Sequence, residues 1–131
     1  MSVDYLLDTD AVVDVLRGRH GVARRLAQVS PDDVAVSAMT VAELLYGSLR
    51  SSDPERSGRE VRRFLDAVRT IPFGRAAAAA HSRIRHTLRK QNIGPNDLVI
   101  AATALSAKAT VVTANVREFS RVDGLAVESW R

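Results

Sequence analysis

Cysteine is absent from the 131 residues, which excludes disulfides, thiolate-held zinc and iron–sulfur centres and gives no sign of an oxidising compartment. A cytoplasmic location is the expectation. No apolar run approaches the roughly 20 residues that a membrane-spanning helix needs. The opening MSVDYLLDTD carries acids where a secretion signal has a basic run, so neither export nor membrane insertion is expected. Repeats, low-complexity segments and composition breaks are also missing, so positions 1–131 read as one domain with one core. Lysine is scarce as well: Lys90 and Lys108 are the only two among 19 cationic residues.

What is present is a folded-protein composition, 46% hydrophobic and 26% charged, with a formal net charge of +4 carried almost entirely by arginine. The cations cluster as Arg17, Arg19, Arg24 and Arg25, then Arg56, Arg59, Arg62 and Arg63, then Arg83, Arg85, Arg89 and Lys90. Arginine suits phosphate recognition, which permits a polyanionic partner. Solvated helix faces explain each cluster equally well.

Short strand-like runs at 3–7, 34–36, 70–73, 110–113 and 125–128 alternate with helical stretches at 11–17, 21–29, 39–50, 55–68, 75–91 and 95–107. Alternation of this kind predicts an α/β fold, with a short parallel sheet of four to five strands flanked by helices. In such sheets functional groups gather where carboxyl ends of strands meet helix starts. Three acids fall at such junctions: Asp8 after the first strand, Glu43 at the opening of the helix after the second, and Asp97 just past Gly94-Pro95.

Each of these acids lies in an apolar stretch and tends toward burial, where an ionised carboxylate costs several kcal/mol unless something compensates it. Local compensation is available. Asp8 or Thr9 can cap the following helix. Thr40 and Glu43 have the spacing of a capping box. Asp97 falls in a first helical turn that opens at Pro95, where the helix dipole favours an anion. A metal site and three ordinary caps are both consistent with the residues taken alone. His20, His81 and His86 lack metal-ligand spacing and read as surface residues.

Four blocks resemble one family in order: LLDTD at 6–10, VSAMTVAELLYG at 36–47, IGPNDLVIAATAL at 93–105 and VTANVREF at 112–119. The chain resembles the PIN-domain nucleases, and among them the VapC toxins of type II toxin–antitoxin pairs, nearly from end to end. The resemblance implies that Asp8, Glu43 and Asp97 hold the catalytic metal. At the fourth position Asn115 replaces the acid that many members carry, which leaves a weaker ligand. Glu118 is a candidate for a water-mediated carboxylate. Thr113 resembles a site-positioning threonine, and Asp10 stands where asparagine is common, beside the site at most.

The implied activity is hydrolysis of RNA phosphodiester bonds, leaving 5′-phosphate and 3′-hydroxyl ends. An oxygen-only donor set favours Mg²⁺, or Mn²⁺, over zinc. Implied partners are transfer or ribosomal RNA, a second copy of the chain, and a small VapB-like antitoxin whose C-terminal segment brings an arginine to the acids, in a heterotetramer or larger assembly. Leu44, Leu45, Tyr46 and Leu49 are candidates for its groove or for ordinary core. Two other functions remain open on sequence: a PIN nuclease of RNA processing with no toxin role, and a non-catalytic RNA- or protein-binding module.

Overall fold

Short runs rich in aliphatic and branched residues give five strands in the computed structural model, which describes residues 2–131. They are β1 (Tyr5–Leu7), β2 (Val34–Ser37), β3 (Arg69–Ile71), β4 (Thr110–Val112) and β5 (Val127–Glu128). All neighbours run parallel, in the order β3-β2-β1-β4-β5. The helices are α1 (Thr9–Arg17), α2 (Val22–Leu26), α3 (Ala38–Leu49), α4 (Pro54–Ala67), α5 (Arg75–Thr87), α6 (Pro95–Ala107) and α7 (Val116–Phe119). A single 3-10 turn, Pro31–Asp33, leads into β2.

Strand side chains alternate between faces, and the two faces bury separate clusters. Leu6, Ala35 and Val111 point to one side, where Ala80 and Ile84 of α5, Leu98 and Ile100 of α6, and Phe119 cover them. Leu7, Val34, Val36 and Val112 point to the other, against Ala11 and Val12 of α1, Leu44 of α3 and Val61 of α4. Helices on both faces explain why the strands read as continuous apolar runs rather than alternating ones.

From β1 the chain builds outward through β2 to β3, then crosses back to place β4 on the other side of β1 and β5 beyond it. The reversal opens a crevice between the carboxyl ends of β1 and β4, the position where open parallel sheets bind ligands. Asp8 follows β1 and Thr113 follows β4, so both sit at that crevice.

Several boundaries depart from the sequence expectation. The helix expected over 21–29 is only Val22–Leu26, entered through Gly21 in a left-handed conformation (φ 71°). That expected over 75–91 ends at Thr87. The capping-box reading of Thr40 and Glu43 does not hold. Ser37 is the N-cap of α3, its Oγ accepting the Thr40 N–H at 3.1 Å, so Glu43 lies in the second turn rather than at the opening. Leu44 and Leu45 pack into the core, whereas Tyr46 and Leu49 are exposed.

The segment after β5 closes the second face. Trp130 is buried, meets Tyr5 edge-on with ring centroids 5.2 Å apart, and donates its indole N–H to Glu128 at 3.0 Å. Arg131 then forks onto the buried Asp14 of α1, Nε to Oδ2 at 2.9 Å and Nη2 to Oδ1 at 3.3 Å. Burial raises the Asp14 carboxyl, but the Arg131 and His20 hydrogen bonds outweigh it and hold the pKa below the ordinary aspartate value. We predict that Trp130→Ala costs about 3 kcal/mol, or about 10 °C in Tm, by removing a packed aromatic. Arg59→Ala, on the exposed side of α4, should cost less than about 0.5 kcal/mol. Thermal unfolding followed by circular dichroism compares them, and equal melting of the two variants contradicts the packing argument.

Candidate active site

Asp8 reaches the crevice because β1 ends there and α1 begins at once. Its side chain is the N-cap of α1, Oδ1 accepting the Ala11 N–H at 2.9 Å, and the buried Thr113 hydroxyl also hydrogen-bonds to it. Burial is the largest influence and exceeds these two bonds. With the neighbouring Asp10 and Asp14 charges adding to it, the Asp8 pKa rises to about 6.

Glu43 comes from the second turn of α3 and is held by neutral donors. The Thr9 hydroxyl donates to Oε1 at 2.6 Å, and the Asn96 amide donates to Oε2 at 3.0 Å. Thr9 has one proton and gives it to Glu43, so the Thr40 hydroxyl, 3.2 Å from that of Thr9, is the donor in their contact. Ser37 donates in turn to Thr40 at 3.3 Å. A chain of hydroxyls from Ser37 through Thr40 and Thr9 therefore ends on the carboxylate.

Asp97 lies in the first turn of α6, two residues past Pro95. Its pKa rises to about 7, through burial first, then the charge of Glu118, then that of Asp8, with a hydrogen bond donated to Glu118 and the charge of Glu43 adding to it. The four acids thus feel one another. Glu118 shifts the opposite way: burial raises it, but the Gly94 N–H at 2.8 Å, the Asn115 amide at 2.7 Å, Asp97 and Arg121 together bring it below the usual glutamate value. Between the two, the surroundings favour the proton on Asp97 and the charge on Glu118.

Asn115 does not point its amide N–H at Asp8 or Asp97; it donates to Glu118, and its own backbone N–H is held by the Thr113 hydroxyl at 2.9 Å. Asp10 is exposed and reaches the site only through its field on Asp8. Sequence reasoning missed Asn96 as a partner of Glu43, and considered Thr9 only as a cap. Their position beside Asp97 and Asp8 was the available signal.

The described ion pairs join Asp14 to Arg131 and His20, Glu128 to Arg25, and Glu60 to Arg56, and none of these four involves Asp8, Glu43 or Asp97. Oxygen donors alone, brought to one crevice, suit a hard divalent cation by donor chemistry. Among the described residues no three of His, Cys, Asp and Glu stand in a closed ligating arrangement, so the acids share a field rather than one coordination shell.

A carboxyl whose folded pKa is raised stabilises the fold fully below its unfolded value near pH 4, and that stability is lost as pH rises through the folded value. For Asp97 and Asp8 the loss therefore runs from about pH 4 to about pH 7. We expect Asp97→Asn in EDTA to melt above the wild type at pH 8, with the gap closing toward pH 4. A gap that is constant with pH, or reversed in sign, contradicts the repulsion.

A family profile described as PIN domain matches residues 5–125. A tRNA(fMet)-specific endonuclease VapC of Shigella flexneri is 32% identical over 96% of this chain and 97% of its own length. A ribonuclease VapC2 of Haemophilus influenzae is 37% identical over the same shares. Among solved structures, VapBC2 of Rickettsia felis bound to a promoter DNA fragment superposes with a TM-score of 0.91 at 29% identity, over 98% of this chain and 100% of that one. DNA-bound VapBC of Salmonella typhimurium gives 0.91 at 30% identity, over 98% and 99%. With its sheet order, its crevice acids and these relatives in agreement, the chain belongs to the PIN-domain family, in the group of the VapC ribonucleases.

Proposed function

We propose that the chain is a metal-dependent endoribonuclease and the toxin of a VapBC-type pair, with Asp8, Glu43 and Asp97 as the metal-binding acids. The observation that carries the reading is the convergence of these three acids from distant parts of the chain: Glu43 is hydrogen-bonded to Thr9, the neighbour of Asp8, and to Asn96, the neighbour of Asp97. A bound Mg²⁺ or Mn²⁺ would acidify a water and offset charge building at the scissile phosphate. The protein supplies the rest. Thr9 and Asn96 fix Glu43, and the Ala11 N–H and Thr113 fix Asp8. One of the carboxylates, Asp97 or Asp8, would take the proton from the attacking water. Asn115 and the Gly94 N–H orient Glu118 beside Asp97. Transfer and ribosomal RNA are the substrates to test first, in cytoplasmic extracts.

The antitoxin reading has its own geometry. A groove between α1, α3 and α4 is lined by Val13, Leu16, Leu44 and Val61 and carries Thr9 and Glu43 in its wall, so an apolar segment lying there would bring a basic tip to the acids. Gly47 also lines it, and a Cβ added at Gly47 meets no atom within 4 Å. A second copy of the chain is the other expected partner, and sedimentation measures that stoichiometry.

Two outcomes are expected. Purified wild type should cut total RNA into discrete fragments with Mg²⁺ or Mn²⁺ and not with EDTA. Asp97→Asn should be slower by about 100-fold, the equivalent of about 3 kcal/mol of lost charge stabilisation. Equal cutting by both proteins, or cutting in EDTA, sinks the nuclease assignment. Separately, Gly47→Trp should leave cleavage and melting temperature intact while abolishing inhibition by the cognate antitoxin. Undiminished inhibition places the antitoxin elsewhere.

A further inference from the structure

Charge is segregated along this chain: residues 67–96 contain Arg69, Arg75, Arg83, Arg85, Arg89 and Lys90 and no acid at all. A helix face that only needs solvation ordinarily mixes both signs. Arg56 and Glu60 of α4 show that mixture, paired at 3.3 Å across one turn. α5 has no acid to offer such a pair.

Two of the α5-side cations, Arg85 and Arg89, stand at a depression of about 580 Å³ where α5 leans on the start of α6. Arg85 and Arg89, one turn apart, line its wall; Leu88, Ile93 and Leu98 supply an apolar part; His81 and Pro95 complete the lining. The same two arginines wall a second depression of about 340 Å³ with Ser82 and His86, so they form a ridge with a hollow on either side. The His81 ring is braced edge-on by Phe73, with centroids 5.7 Å apart.

This place is joined to the acids. Pro95 lines the depression and precedes Asp97 by two residues, about 3 Å along the α6 axis. The loop between α5 and α6 is tied to the site by the Gly94 N–H on Glu118 and by Arg121 donating to the Asn92 carbonyl. A nucleic-acid strand entering a crevice of carboxylates is repelled by them, and a cationic flank within a turn of the site offsets that repulsion.

We infer that the α5–α6 depression is a subsite for single-stranded RNA flanking the cleavage point, with backbone phosphates on Arg85 and Arg89 and a base against His81 and the apolar part. The combination of an arginine ridge, an aromatic-braced ring and an apolar hollow suits unpaired nucleotides better than a duplex, whose bases are not available for stacking. This inference rests on the nuclease reading for the direction of the strand toward Asp97.

The test measures binding apart from cutting. In an Asp97→Asn background with Mg²⁺, fluorescence anisotropy follows a 5′-fluorescein-labelled, unstructured 12-nucleotide RNA over a series of salt concentrations. Arg85→Ala/Arg89→Ala should raise Kd about tenfold and flatten the salt dependence by about 1.4 in log–log slope, the share of two phosphate contacts on a single strand. Arg85→Lys/Arg89→Lys should recover most of the binding, and Arg59→Ala/Arg63→Ala on α4 should stay within about twofold of the parent. With Asp97 restored, the alanine pair should raise KM and leave kcat nearly unchanged. The subsite is overturned if the alanine pair binds like the parent, or if the α4 pair weakens binding equally. It is also overturned if the alanine pair weakens the antitoxin complex but not RNA, which makes the ridge a protein-docking surface. A wild type that cuts no RNA while the alanine pair still governs binding removes the nuclease reading and leaves the subsite standing.

Discussion

Everything at the crevice follows from gathering negative charge where the sheet reverses direction, with none of the ion pairs found among the described residues falling on Asp8, Glu43 or Asp97. Neutral donors and the start of α6 share the burden. A net hydrogen bond contributes about 1 kcal/mol and a helix dipole about 0.3–1 kcal/mol, against a cost of several kcal/mol for each buried charge. The donors therefore position the carboxylates without neutralising them. Raised pKa values at Asp8 and Asp97 are the residue of that imbalance, and they leave the site a receptor for protons or hard cations.

α1 displays two buried aspartates with opposite fates. Asp14 is gripped by Arg131 and His20, and its pKa falls; Asp8, two turns earlier, meets only the Ala11 N–H and a hydroxyl, and its pKa rises. Burial alone does not separate a structural acid from a functional one. The partner does separate these two: Asp14 is met by a guanidinium and Asp8 by neutral donors.

Much of the architecture was legible in the strands and in α6. The aliphatic runs located all five strands to within a few residues, and Pro95 marked the start of α6, which placed Asp97 in its first turn. The cap at Asp8 was likewise among the local readings. Misreadings arose where two local signals competed. Thr40 and Glu43 have capping-box spacing, but Ser37 takes the cap three residues earlier, and Glu43 is freed to reach Thr9 and Asn96 across the crevice. Those partners stand 34 and 53 residues away in sequence, so no local pattern announces them. Arg131 on Asp14, 117 residues apart, was invisible for the same reason.

The double duty of Asp8 has an evolutionary side. The same carboxylate that faces the crevice also seats the first turn of α1 through the Ala11 N–H, a cap whose loss costs about 1 kcal/mol irrespective of chemistry. Glu43 and Asp97 cap no helix: Glu43 joins α3 to Thr9 and Asn96, and Asp97 lies inside the first turn of α6. In a silenced descendant of this chain, selection on folding alone would retain a capping side chain at position 8 but not its buried charge, so asparagine or serine there would mark a relative that kept the helix and gave up the cutting.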